Sequence, residues 1–196
     1  MNQVENNFET QIAKFTILSN EIIEKKYKVQ YEHLFHEIIF EKLLTIKSNR
    51  IINLSYIKID KKVLGYEYFP STTLRERLKS HKIINSTELI HIFEEMAFAI
   101  DFLHSKNIAH IDINDTNFLI NKDLDVKLND YDFIEILNEK NQDLKQIDIL
   151  AFAILIYRII QLPYQWKAIK NLHFQFNTKN VNYSSCISFL KSLELK

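Results

Sequence analysis

A chain of 196 residues, 46% apolar and 12% aromatic, is long enough to bury a real core, as one domain or as two small lobes. Its 25 basic and 25 acidic residues cancel, so no net field draws it to nucleic acid or to an anionic membrane, and neither kind of partner is expected. One cysteine, Cys186, permits no internal disulfide, the polar start Met1-Asn-Gln-Val-Glu-Asn-Asn is no signal peptide, and no apolar run reaches the roughly 20 residues of a membrane span, so an intracellular, cytoplasmic protein is expected.

Glycine is scarce, with one residue in 196 against an average of roughly 7%. The stretch from Met1 to Thr10 has none, and Gly65 falls in a predicted strand, so no glycine is left for turns or for a loop whose bare backbone approaches a ligand. Gln11-Ile-Ala-Lys14-Phe-Thr-Ile-Leu reads as a strand carrying a lysine, and Lys25, Lys26 and Lys28 follow it. Leu34, Phe35, Ile38, Ile39 and Leu43 recur at helical spacing, with Glu37 and Glu41 one turn apart among them. Lys62-Val-Leu-Gly-Tyr66-Glu67-Tyr-Phe69-Pro70 reads as a strand and a break, with a short helix after it.

The clearest helix is predicted from about Ser86 to Ser105, where Leu89, Phe93, Met96, Ile100 and Leu103 form one stripe and Asn85 with Glu88 resembles a capping pair. His104 and His110 bracket its end, but no Cys or further His lies at ligand spacing, so zinc is not expected. Phe118-Leu-Ile and Asp125-Val-Lys-Leu read as a hairpin that brings Asn117 and Asp130 face to face. Ile149 to Tyr157 reads as a helix buried on all sides, and two further helices are predicted near Gln161 and Tyr183.

The chemistry concentrates in His110-Ile-Asp112-Ile-Asn114-Asp-Thr-Asn117, followed by Asp130-Tyr131-Asp132. Moving a phosphoryl group needs a carboxylate that orients the attacking hydroxyl and oxygen ligands that hold Mg²⁺. In this register the segment resembles the catalytic loop and metal motif of the eukaryotic-type protein kinases, and the resemblance runs from about Phe8 to about Leu195. It implies an α+β fold in two lobes, with a truncated β-rich first lobe over 1–69 and a mainly helical second lobe over 70–196.

The resemblance implies ATP and Mg²⁺ as cofactors and a protein Ser/Thr hydroxyl as phosphate acceptor. Asp112 is the implied orienting carboxylate, Asn117 and Asp130 the metal ligands, and His110 and Asp148 the supports of the loop backbone. Lys14 resembles the V-A-I-K lysine that grips phosphates, with Lys25, Lys26 and Lys28 as competitors, and Glu37 stands where its partner glutamate falls. Tyr66 is the implied bulky residue behind the base, and Glu67 and Phe69 are the implied main-chain groups for adenine. With no glycine hairpin, either the first two strands are missing or another element closes over the nucleotide.

Departures from the family matter too. Ile111 stands for the usual Arg, Asn114 for a Lys that touches the γ-phosphate, and Asp132 for the Gly of D-F-G. Loss of one such donor costs on the order of 3 kcal/mol of transition-state stabilisation. Asp148 follows Asp130 by 18 residues with no Ala-Pro-Glu, which leaves little room for an activation segment or peptide platform. Two alternatives therefore stand beside the protein kinase: a pseudokinase acting as a binding or scaffold module, and a small-molecule kinase of the aminoglycoside or choline kinase type.

Overall fold

The computed structural model describes residues 6–18, 21–80 and 86–160. The Asn85 cap and the two helices expected after Gln161 lie outside these residues. The chain divides into two compact units, Met1–Pro70 and Ser71–Lys196.

The first unit is a five-stranded antiparallel sheet with one short helix. Its strands are β1 (Asn6–Glu9), β2 (Ala13–Ile17), β3 (Ile22–Tyr27), β4 (Leu54–Lys58) and β5 (Val63–Glu67), in the order β1-β2-β3-β5-β4. Of the two alternatives raised by the absent glycine hairpin, the loss of the first two strands is thereby corrected: both are present, and Lys14 lies on the second strand, while the third carries Lys25 and Lys26. The hairpin between β1 and β2 turns without glycine because Thr10 substitutes a hydroxyl for backbone freedom. Its Oγ1 accepts from the amides of Ile12 and Ala13 at 3.3 and 3.1 Å, and its own N–H reaches the Ala13 carbonyl at 2.9 Å.

A 3-10 turn at Val29–Leu34 precedes α1 (Glu37–Leu44). That turn breaks the helical period assumed in the sequence, so the buried face is set by Phe35, Phe40 and Leu43, whereas Ile38 is 76% exposed.

The one glycine has a packing explanation. Gly65 is paired with Tyr56 across β4 and β5, where the ladder shifts register, and a Cβ at this position would meet three Tyr56 ring carbons at 2.4, 2.5 and 2.7 Å. The Tyr56 ring thus lies over bare backbone, and its hydroxyl donates to Glu24 Oε1 at 2.6 Å. Burial, with the Glu24 carboxylate beside it, pushes the Tyr56 phenol up to about 12.

The second unit is mainly helical. Strand β6 (Thr72–Thr73) leads into α2 (Leu74–Lys79), whose start is closed by a capping box: Thr73 Oγ1 accepts from the Glu76 amide at 3.1 Å while Glu76 accepts from the Thr73 amide at 2.9 Å. Helix α3 spans Ser86–Ser105, and its stripe of Leu89, Phe93, Met96, Ile100 and Leu103 is at most 3% exposed. Three small strands follow, β7 (Ile108–Ala109), β8 (Phe118–Ile120) and β9 (Val126–Leu128), then β10 (Glu135–Ile136) and α4 (Leu144–Ile160). Strands β6, β8 and β9 form one antiparallel sheet, and β10 pairs with β7.

Helix α4 carries Asp148, Phe152 and Leu155 inward, yet Ile147, Ile154 and Tyr157 are 45%, 58% and 45% exposed, which corrects the expectation of burial on every side. Among the described residues no helix is long and apolar enough to cross a membrane.

Replacing Gly65 with Ala forces ring or backbone to move, an overpacking cost of about 1–3 kcal/mol. Urea unfolding is expected to show that loss in the wild-type background and little of it beside Tyr56→Ser. Equal losses in both backgrounds would mean that the ring is not the constraint.

Candidate active site

The loop after β7 is built around one buried carboxylate. Asp148, fully buried on α4, accepts from the His110 amide at 2.8 Å and lies 2.8 Å from His104 Nε2, both through Oδ2, while its Oδ1 takes the Ile111 amide at 2.7 Å. The need for such a grip is local. Ile111 has φ 65°, a left-handed conformation that a β-branched residue adopts only under strain, on the order of 1–3 kcal/mol. Two charge-assisted hydrogen bonds to consecutive amides hold the turn in that state.

His110 fills the space beneath the loop. Its Nε2 lies 2.9 Å from the Asn129 carbonyl, so the proton sits on Nε2, and the buried Nδ1 has no hydrogen-bond partner among the described residues. Burial pushes its pKa below the ordinary 6.5, against the opposing charge of Asp148. Tyr131 meets the imidazole edge-on with ring centres 6.1 Å apart, and its hydroxyl donates to the Leu128 carbonyl at 3.1 Å.

Asp112 sits at the bend of this loop, half-buried. Asn117 Nδ2 lies 2.8 Å from its Oδ2 and 2.8 Å from its carbonyl, and Asn114 Nδ2 lies 2.9 Å from its Oδ1. The expected hairpin forms from β8 and β9, with Phe118 opposite Leu128. One step further, the Asn129 amide donates to the Asn117 carbonyl at 2.8 Å, which puts Asp130 next in the chain to a residue paired with Asn117. Asp130 is itself left-handed, with φ 64°. Asp112 and Asn117 are thus in direct contact, and the strand ladder carries Asp130 to the same end of the hairpin.

The donor set suits a hard cation. With its amide N–H groups turned to Asp112, Asn117 could offer a cation its Oδ1, which lies 3.3 Å from the Thr116 hydroxyl, and Asp130 could add a carboxylate. Two protein oxygens match the habit of Mg²⁺, which keeps several waters and takes phosphate oxygens.

A contact that the sequence did not reveal ties the loop to α2. Arg75 Nε and Nη2 reach Asp115 Oδ1 at 3.0 and 2.7 Å, and the Arg75 amide donates to the Asp115 carbonyl at 2.9 Å. Forty residues separate the pair, so no local spacing could announce it. The ion pair is solvent-exposed on the arginine side and adds little stability, about 0–1 kcal/mol.

In the first unit the sequence candidates scatter. Lys14 is mostly exposed, with Nζ 2.9 Å from Glu9. Glu37 is exposed on the first turn of α1 and forms no ion pair among the described residues, so Lys14 and Glu37 are not brought together. Lys25 is 5% exposed on β3, its Nζ 5.0 Å from the Tyr27 ring centre and 6.0 Å from that of Phe15. Tyr66 is buried on β5 opposite Ile23.

The Glu67 amide donates to the Asn53 carbonyl at 3.0 Å, and the Tyr68 amide to the Glu21 carbonyl at 2.7 Å. The Glu67 carboxylate accepts from the Asn53 backbone and side-chain amides at 2.8 and 2.9 Å. Phe69 is half-buried beyond the strand end.

The family model described as Protein kinase domain matches residues 4–152. A probable inactive serine/threonine-protein kinase of Dictyostelium discoideum is 35% identical over 109 residues, 54% of this chain and 9% of that protein. The serine/threonine-protein kinase STE20 of Saccharomyces cerevisiae is 29% identical over 110 residues, 54% of this chain and 12% of its own. The serine/threonine-protein kinase greatwall of Canis lupus familiaris is 26% identical over 133 residues, 66% of this chain and 15% of its own. The chain therefore spans a small part of the length of these relatives.

Two expectations follow from Asp148 and His110. Asp148→Ala strands two backbone amides in the interior, each worth about 1–3 kcal/mol, so the urea-derived stability is expected to fall by roughly 3 kcal/mol or more. A loss under about 1 kcal/mol would show that the loop is held by other means. For His110 the folded pKa lies below 6.5, so the unfolded chain takes the proton first. Its contribution to stability is complete above about pH 6.5 and declines as pH falls, by up to about 1.4 kcal/mol per pH unit. His110→Phe is expected to flatten the stability profile between about pH 6.5 and 5.5; an unchanged slope contradicts the assignment.

Proposed function

The chain belongs to the protein kinase domain family, and from that premise we propose that it takes up ATP with Mg²⁺ and transfers the γ-phosphoryl group to a protein Ser/Thr hydroxyl inside the cell. The observation that carries this reading is the contact of Asp112 with Asn117 at 2.8 Å, beside a hairpin end that leads into Asp130. Bound magnesium would neutralise charge on the phosphates and align them. Asp112 would accept and orient the substrate hydroxyl, with its carboxylate kept from turning by its amide neighbours. Asn117 Oδ1 and the Asp130 carboxylate would hold the cation.

For the nucleotide, Tyr66 would back the base, with main-chain groups from Glu67 to Phe69 beside it. Lys25 replaces Lys14 as the proposed phosphate lysine, because it lies on the third strand and is buried rather than bound to Glu9 at the surface. Glu37, at the start of α1, would serve as its partner.

A catalytically impaired binding module is the second reading, and particular observations favour it. Asn114 supplies no cation. At the β1–β2 turn the amides of Thr10, Ile12 and Ala13 are already bonded within the turn, so they cannot cradle a phosphate. A relative bears the description probable inactive.

A thermal-shift titration separates these. Ligand at about 100 times its dissociation constant adds about 2.7 kcal/mol of stability, so Mg²⁺·ATP is expected to raise the melting temperature. Asp130→Asn should remove the magnesium-dependent part. Phosphoryl transfer that disappears in Asp112→Ala while binding persists supports the enzyme. Binding without transfer supports a nucleotide-binding module, and no shift at millimolar Mg²⁺·ATP contradicts the enzyme and leaves the scaffold reading standing.

A further inference from the structure

Asn114 is fixed at both ends of its amide. Its nitrogen lies 2.9 Å from Asp112 Oδ1 and 3.3 Å from the Asp112 carbonyl. Its oxygen accepts from the Thr116 amide at 2.9 Å and from the Thr116 hydroxyl. Turning the amide over would set oxygen against carboxylate and NH₂ against N–H, so a single orientation satisfies all four groups. Asn117 obeys the same logic, with its nitrogen between Oδ2 and the carbonyl of Asp112. The two carboxylate oxygens of Asp112 therefore face two different amides. A lysine at 114 could not do this: it donates but cannot accept from Thr116.

We propose that Asn114 is a positioning residue. By holding Oδ1 it keeps the Asp112 carboxylate turned so that Oδ2 takes the Asn117 amide, which leaves Asn117 Oδ1, 3.3 Å from the Thr116 hydroxyl, on the side away from Asp112 as a ligand for a divalent cation. The chain Thr116–Asn114–Asp112–Asn117 acts as one relay of orientation. Its effect on the cation rests on the functional reading above, whereas the orientation of Asn117 does not.

The test has two arms, one for each part. In the nucleotide-free 196-residue chain, side-chain amide exchange measured by NMR is expected to show Asn117 Nδ2 protons protected in wild type. They should exchange several-fold faster in Asn114→Asp, which keeps the shape but cannot donate when ionised. Asn114→Ala serves as the second variant should the aspartate not fold, and Thr116→Val should shift exchange the same way to a lesser degree. Unchanged Asn117 exchange in a folded Asn114 variant overturns the proposal.

In the second arm the magnesium concentration that half-saturates the ATP thermal shift is expected to rise about tenfold in the same variant, the usual effect of losing a partner behind a metal ligand. The ATP shift in EDTA should stay the same. A normal wild-type shift with an unmoved magnesium midpoint in the variant overturns the cation role alone. A wild type with no magnesium-dependent shift overturns that role and the functional reading together, and amide exchange still decides the orientation of Asn117.

Discussion

The grip of Asp148 on the amides of His110 and Ile111 is the interaction on which the candidate site depends. Ile111 occupies a conformation that its own side chain opposes, and the loop would relax to an ordinary turn without a buried acceptor at 2.7–2.8 Å. That relaxation would move Asp112, the next residue. The carboxylate therefore converts burial on α4 into direction at the reactive loop, and His110 completes the support by bonding the Asn129 carbonyl from below.

From this anchor the site is assembled in short steps. Asp112 is set by the strained turn and then locked by two amides. Asn117 is set by Asp112 on its side chain and by Asn129 on its backbone. Asp130 follows from the strand register that makes Asn129 a partner of Asn117. Each step spans few residues, so the geometry tolerates an otherwise reduced domain. It also accounts for how much chemistry was legible beforehand: residues 110–130 hold both the motif and the hairpin that folds it. The long helix was equally legible, because the apolar stripe from Leu89 to Leu103 has one period and one face.

The first unit was harder to read, for physical reasons. Its register was sought through a glycine hairpin, yet the turn is made by the Thr10 hydroxyl and ordinary backbone. With that marker absent, Lys14 resembles the V-A-I-K lysine although its strand is the second, and Lys25 and Lys26 lie on the third. The glycine that does exist serves the Tyr56 ring in β5 and says nothing about a ligand. A 3-10 turn before α1 changed the phase of the apolar stripe, so Ile38 and Phe40 exchanged roles. The Arg75–Asp115 pair has no local sequence signal, because its partners are 40 residues apart and are brought together where β6 pairs with β8.

The central claim is that Asp112, Asn117 and Asp130 converge on one nucleotide-bound cation, and paramagnetic broadening by Mn²⁺·ATP in an NMR spectrum of the labelled chain tests it most directly. The account predicts that resonances of Asp112, Asn117, Asn129 and Asp130 vanish first, while those of Asp123 and Asp125 at the far turn of the hairpin persist. Broadening centred on that far turn or on Glu9, or uniform loss without any centre, would contradict it.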